Sequence, residues 1–232
     1  MSSDFVDVSV ALGKGIYSVG EDLVLGIHRT GESLGYGQNR RMAQIGQENW
    51  AITGLIIDAI KYGLYDEKGP LYRAIALILE EYYSYFPEKV LLYLAKKASM
   101  AIAYTAGRMI VGKKLAEVIA IRVVAAVATS ATYKALATRL GVSARAGATR
   151  IGAPITVLMA QGVLQRSSFA AMRLKSKNPK LYSVLERNGN LQFLYFILED
   201  PLEVYFNAIA LAEDDIDQFQ QIIDAEYKDK VK

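Results

Sequence analysis

Residues 115–140, LAEVIAIRVVAAVATSATYKALATRL, followed by residues 154–174, PITVLMAQGVLQRSSFAAMRL, decide how this chain folds. Val and Ile within 120–128 suit a strand, but the alanines among them and the length of the flanking pattern favour helix. Small side chains recur at Ala116, Ala120, Ala125, Ala126, Ala128, Ser130 and Ala131, then at Ala160, Gly162, Ser167, Ser168, Ala170 and Ala171. Such residues let helix backbones approach closely. The intervening GVSARAGATRIGA turns at Gly141, Gly147 and Gly152. The expected unit is a helical hairpin.

Spanning a bilayer takes ~20 predominantly apolar residues in a helix. The first stretch is long enough but carries Glu117 and Arg122. An arginine at mid-helix costs about 2.5–3.5 kcal/mol on insertion scales. The second stretch runs only from Pro154 to the polar pair Gln165-Arg166. Neither reads as a constitutive transmembrane helix. Both are too apolar for surface helices unless one face is covered. They are expected to lie inside a soluble helical fold and to enter a bilayer interface when released. The insertion residues would be Val118, Ile119, Ile121, Val123, Val124 and Val127 on the first helix. On the second they would be Ile155, Val157, Leu158, Met159, Val163 and Leu164.

Charge is distributed unevenly around this pair. Residues 1–107 carry 10 Lys/Arg against 12 Asp/Glu, a net −2; residues 108–180 carry 13 Lys/Arg and only Glu117, a net +12; residues 181–232 carry 4 Lys/Arg against 11 Asp/Glu, a net −7. Anionic leaflets attract each nearby Lys or Arg by roughly 1 kcal/mol. Lys113, Lys114, Arg139, Arg145, Arg150, Arg166, Arg173 and Lys175 are the expected anionic-lipid contacts, with Lys177 and Lys180 beside them. Apolar runs between cationic anchors suit interfacial insertion. The acidic segment 199–229 is expected to lie against the basic pair and hold it closed.

All five prolines sit where a helix is expected to begin, a position that wastes no N–H. Asn178-Pro179 and Asp200-Pro201 each pair a capping residue with Pro at the first helical position, and Asp200 to Glu203 has capping-box spacing. The pattern predicts a glycine-broken helix within 4–29, a loop at 30–38 and a helix at 39–65. Two more start at Pro70 and Pro87, the second running to about 111. The pair follows at 113–139 and 154–174, then short helices at 179–187 and 190–199, one from Pro201, and an amphipathic one at 213–228. The fold class is therefore all-α, a single-domain bundle of eight to ten helices with the apolar hairpin at its centre.

Composition sets the outer bounds. With 232 residues and 52 % hydrophobic content, the chain can bury a core without disulfides or metal. It has no cysteine, which excludes disulfides, thiolate metal sites and a thiol nucleophile. The opening MSSDFVDVSV has acids where a signal peptide has cations, so no cleavable signal is expected and any export would use another route.

A helical bundle that conceals an apolar hairpin within a basic surround resembles the pore-forming bacterial toxins of the colicin type. It is also similar to small membrane-depolarising effectors delivered between bacteria in contact. The resemblance is one of architecture and covers roughly residues 99–180. In that family the hairpin is longer and usually free of charge; Arg122 and the short second stretch depart from it. The resemblance implies a protein soluble in its producer, an inner-membrane target in a rival cell and a cognate immunity protein.

Other features point to weaker chemistry. His28 is the single histidine, so a two-histidine metal site within the chain is excluded and no metal or cofactor is expected. It reads as a helix-end surface residue. The carboxylates Glu80-Glu81 and Glu213-Asp214-Asp215-Asp217 would suit acid–base work only if burial separated their pKa values; acids at a helix start otherwise favour the dipole. Gly31–Gly37 lacks the Lys-Ser/Thr of a phosphate loop. Tyr82, Tyr83, Tyr85 and Phe86 suit a core. In 108–180 the aromatics are only Tyr133 and Phe169, too few for a nucleic-acid surface of stacked bases. No nucleophile stands beside a base, so the chain is not expected to be an enzyme. The competing expectation is a helical binding module, such as an adaptor, chaperone or immunity protein, docking a partner through its acidic end.

Overall fold

A computed structural model describes Arg29, residues 39–63, 66–100, 107–129, Lys134 and residues 152–231; for 39–42, 60 and 152–160 it describes the backbone alone. Among the described residues there are nine α-helices, one 3₁₀ helix and no strand, and the chain is all-α. In order these are α1 (Asn39–Tyr62), α2 (Pro70–Ser84), α3 (Glu88–Lys97), α4 (Arg108–Thr129), α5 (Gly152–Lys177), α6 (Pro179–Arg187), the 3₁₀ helix (Leu191–Leu194), α7 (Tyr195–Leu198), α8 (Glu203–Asp214) and α9 (Ile216–Tyr227). The expected helix within 4–29, the loop at 30–38 and the turn of the hairpin lie outside the described residues, Arg29 excepted.

The central element is α2. Leu71, Ala74, Ile75, Ile78, Leu79 and Tyr83 recur at helical spacing and are all buried. Pro70 starts the helix, and the preceding Gly69 can be nothing larger: a Cβ there would meet the Gly63 carbonyl oxygen at 2.6 Å. The main partner of α2 is α4, and α6, α8 and the 3₁₀ helix pack on it as well. One contiguous core results, with Ile75, Ile78, Leu79, Phe86, Leu115, Leu174 and Phe206 fully buried.

The aromatic run after Leu79 belongs to this core. Tyr82 meets Phe86 edge-on with centroids 4.8 Å apart and Tyr205 of α8 at 5.1 Å, while Phe86 meets Phe219 of α9 at 5.7 Å. Burial pushes the Tyr82 hydroxyl up to about 12.

Several helix ends differ from expectation for identifiable reasons. The helix after Pro87 stops at Lys97 instead of running to about 111. Ser99 adopts φ 56°, and the Met100 and Ser99 amides close on the Ala95 and Lys96 carbonyls at 3.0 and 3.1 Å. That is a Schellman ending with serine where glycine is usual. Asp200 does not cap a helix, because Pro201 and Leu202 form a turn and α8 starts at Glu203. The carboxylate that does cap is Asp215, which accepts from the Gln218 amide at 2.9 Å at the start of α9. Asn178 makes no cap; buried, it donates through Nδ2 to the Phe206 carbonyl at 3.2 Å and ties α6 to α8.

Candidate functional site

The first apolar stretch forms α4. Its covered side is a stripe of Val111, Gly112, Leu115, Ala116, Ala120, Val124 and Val127, all buried. The small residues bring the backbone close to α2: a Cβ on Gly112 would touch the Tyr83 side chain at 3.6 Å. The Tyr72 hydroxyl donates to the Glu117 carbonyl at 3.2 Å across the same contact. The opposite side is open. Ile110 and Ile121 are each 52 % exposed and Val118 is exposed as well, while Met109, in the first turn of the helix, is 87 % exposed. Lys113, Lys114 and Arg122 stand exposed among them. None of these three cations has a hydrogen bond or ion pair among the described residues. Arg108 is engaged, because its guanidinium donates to the Ser84 carbonyl at the end of α2.

The structure therefore sorts the insertion residues of this helix into three groups. Val124 and Val127 are core, Ile119 and Val123 are half-buried, and Val118 and Ile121 face outward. Arg122 also faces outward, so the folded chain avoids the cost of burying its charge. At 22 residues α4 is about 33 Å long at ~1.5 Å per residue, enough to span the hydrocarbon. Its charges deny it the required apolarity. Among the described residues no helix is long and apolar enough to cross a membrane.

The second stretch forms α5 and finds other neighbours. It packs on α6, the 3₁₀ helix, α7 and α1, whereas α4 packs on α2 and α3. Val163 and Leu164 are half-buried; the side chains of Ile155, Val157, Leu158 and Met159 lie outside the described residues. Its cations are partly consumed. The Arg173 guanidinium donates from Nε to Glu199 Oε1 at 3.2 Å, and that hydrogen bond holds its pKa above the ordinary value. Lys175 sits over the Tyr182 ring at 5.2 Å. Arg166 is half-buried. Arg139, Arg145 and Arg150 lie outside the described residues, as do His28 and Gly31–Gly37.

A buried polar network, not legible in the sequence, anchors α5. Arg29 is 1 % exposed. Its guanidinium donates to Gln165 Oε1 at 2.7 Å, to Asn49 Oδ1 at 2.8 Å and to Glu48 Oε2 at 3.1 Å. Ser168 donates to the same Glu48 oxygen at 2.7 Å. The network joins Arg29, α1 and α5 through charge-assisted bonds, the strong kind. An arginine beside the lone histidine gave no signal of burial, and Gln165 and Ser168 read only as the polar end of an apolar run.

No known protein family, curated protein or solved structure matches this chain.

Glu81 of α2 and Glu213 of α8 do approach one another, around Lys180 of α6. Lys180 Nζ lies 2.6 Å from Glu81 Oε1 and donates to the Tyr85 hydroxyl at 3.1 Å, and that hydroxyl donates to Glu81 at 2.7 Å. Burial alone would lower the Lys180 pKa; its bonds to Glu81 and Tyr85 outweigh burial and raise it. The Glu213 carboxyl is raised, by burial first and by Glu81 next, against the opposing pull of Lys180. Its Oε1 is buried with no hydrogen-bond partner. The bonds among Lys180, Glu81 and Tyr85 tie α6 to the end of α2. Among the described residues no group of His, Asp and Glu is arranged to hold a metal ion.

Proposed function

We propose that this protein is a membrane-active antibacterial effector that engages anionic lipid through the outer face of α4 and permeabilises the bilayer when α4 and α5 leave their packing. The observation that carries the reading is the exposure of Met109, Ile110 and Ile121 among the unengaged cations Lys113, Lys114 and Arg122. Glu117 is exposed on the same face, so the three cations act as a net charge of +2 and supply about 2 kcal/mol near an anionic leaflet, roughly thirtyfold in affinity. Submerging the apolar side chains adds up to about 1.5–3 kcal/mol for each one fully buried. The geometry suits a helix lying in the interface plane. A cognate immunity or chaperone protein would cover the same face in the producing cell. The test is dye release and co-sedimentation with phosphatidylglycerol vesicles, at neutral and mildly acidic pH and with an imposed potential. Leakage with binding supports the reading; a protein that stays in the supernatant under all of these conditions sinks it.

A second reading rests on α9. Ile216 and Ile222 are 44 % and 52 % exposed, and Asp217, Asp224 and Glu226 around them are exposed too. An acidic, apolar helix face suits a cationic protein partner, as expected of a helical binding module. A soluble stoichiometric complex broken by Ile222→Lys, together with intact vesicles, would favour this reading.

A further inference from the structure

Beside the outer face of α4 a cleft of about 270 Å³ runs between α2, α4 and the turn after α6. Leu77 and Ala116 are among its apolar lining residues, and Glu67, Glu80, Glu117 and Lys113 bring charges of both signs to it. Arg73 lines it as well; its guanidinium donates to the neutral Asn188 carbonyl and keeps its charge. The four other charges share one cleft without pairing. Among the described residues none of the Glu67, Glu80, Glu117 and Lys113 side chains has a hydrogen bond or ion pair. The Tyr72 hydroxyl is pushed up by burial and then by Glu67 and Glu117, as expected of carboxylates standing close to it.

These charges define what the cleft can take. An anion alone would meet three carboxylates against two cations, the Lys113 ammonium and the Arg73 guanidinium. A simple cation would leave Lys113 unanswered. A ligand with a phosphate and a primary ammonium a few bonds apart satisfies both, with the phosphate on Lys113 and the ammonium donating its three N–H bonds among the carboxylates. The volume lies just under the ~300–1,000 Å³ of drug-sized pockets, so only a small group fits. Lys113 and Glu117, one turn apart on α4, belong both to the cleft and to the helix face proposed to meet lipid.

Resting on that membrane reading, we infer that the cleft between α2 and α4 is a headgroup site for a zwitterionic aminophospholipid, of the phosphatidylethanolamine type. A choline headgroup fits poorly because its quaternary ammonium has no N–H to donate.

The experiment compares vesicles of fixed phosphatidylglycerol content whose remaining lipid is either phosphatidylethanolamine or phosphatidylcholine. The full chain should be retained roughly tenfold better on the ethanolamine vesicles, the worth of one charge-assisted hydrogen bond. The double variant Glu67→Gln/Glu80→Gln, checked for unchanged helicity, should lose that preference and keep its binding to phosphatidylglycerol. Soluble phosphoethanolamine should erase the preference of the unsubstituted protein and leave the variant unaffected. Equal retention on the two lipids overturns the site while leaving the membrane reading intact, as does a preference that survives in the variant or resists the soluble headgroup. Loss of binding to both vesicle types overturns the membrane reading and the site with it.

Discussion

Arg173 of α5 and Glu199, the residue after α7, form an ion pair in which Nε and Nη2 each donate to a separate carboxylate oxygen. It is a direct link between the basic middle of the chain and its acidic end. The acidic helix α9 makes its ion pair elsewhere, with Asp224 lying 3.5 Å from Lys89 of α3. Among the described residues this bidentate pair ties α5 to the segment that follows α7. Arg173 is 55 % exposed, which limits the pair to about 0.2–1 kcal/mol. Glu199→Gln should lower the denaturation free energy by no more than that. It should also raise affinity for phosphatidylglycerol vesicles by up to fivefold by freeing one cation. Urea titration and co-sedimentation read the two effects separately.

The Arg29 network should behave differently because it is buried. Removing one partner of a buried, hydrogen-bonded charge leaves the other uncompensated, at a cost of about 3–5 kcal/mol. Glu48 is 18 % exposed at its side chain and retains Ser168, which places Arg29→Ala toward the low end, about 3 kcal/mol. Chemical denaturation of Arg29→Ala, Glu48→Gln and the double variant should show strong non-additivity. Additive losses would mean that the two side chains do not act on each other.

The contrast between these two pairs shows what the sequence could convey. Helix identity was legible wherever apolar spacing and Pro agreed, as at Pro70 and Pro179. The ends were legible only where the usual residue did the capping: Ser99 terminates α3 in a left-handed conformation that glycine would have advertised, and Asp200 has the spacing of a cap it does not make. The apolar, small-residue character of 115–129 correctly marked a helix with close neighbours. It could not say that the neighbour is α2, because Gly112, Ala116 and Ala120 suit any closely approaching helix. Nor could residue type reveal which of Val118, Ile121 and Val124 faces outward, since all three are equally apolar and only packing chooses. Arg29 is the extreme case, for an isolated arginine carries no local mark of the distant Gln165 and Ser168 that bury it.

Glu213 gives a pH prediction with a definite sign. Its pKa is raised in the folded chain, chiefly by burial and then by Glu81. The fold therefore favours the protonated form, and the stability contributed is present at acid pH and lost as pH rises through the raised value. At neutral pH the ionised carboxylate opposes folding. Glu213→Gln should raise the unfolding free energy at pH 7 by less than about 1 kcal/mol, given its partial exposure, and the gain should vanish below the ordinary carboxylate pKa. A variant that is less stable than the parent at pH 7 would show that the attraction of Lys180 for the ionised carboxylate dominates instead.

The two faces of α4 permit a test in which stability and lipid binding part company. Met109 and Ile121 are exposed, so Met109→Asp and Ile121→Asp remove no core contact and should change stability by no more than about 0.5 kcal/mol. Each places a negative charge among Lys113, Lys114 and Arg122 and removes an apolar anchor, so vesicle binding should fall at least tenfold. Val124→Asp, only three residues from Ile121, buries an unpaired carboxylate at a fully covered position and should unfold the chain. Guanidinium denaturation should therefore separate Val124→Asp from the two exposed variants, while co-sedimentation with phosphatidylglycerol vesicles should separate those two from the parent. If Met109→Asp and Ile121→Asp bind vesicles as the parent does, the outer face of α4 is not where lipid is met.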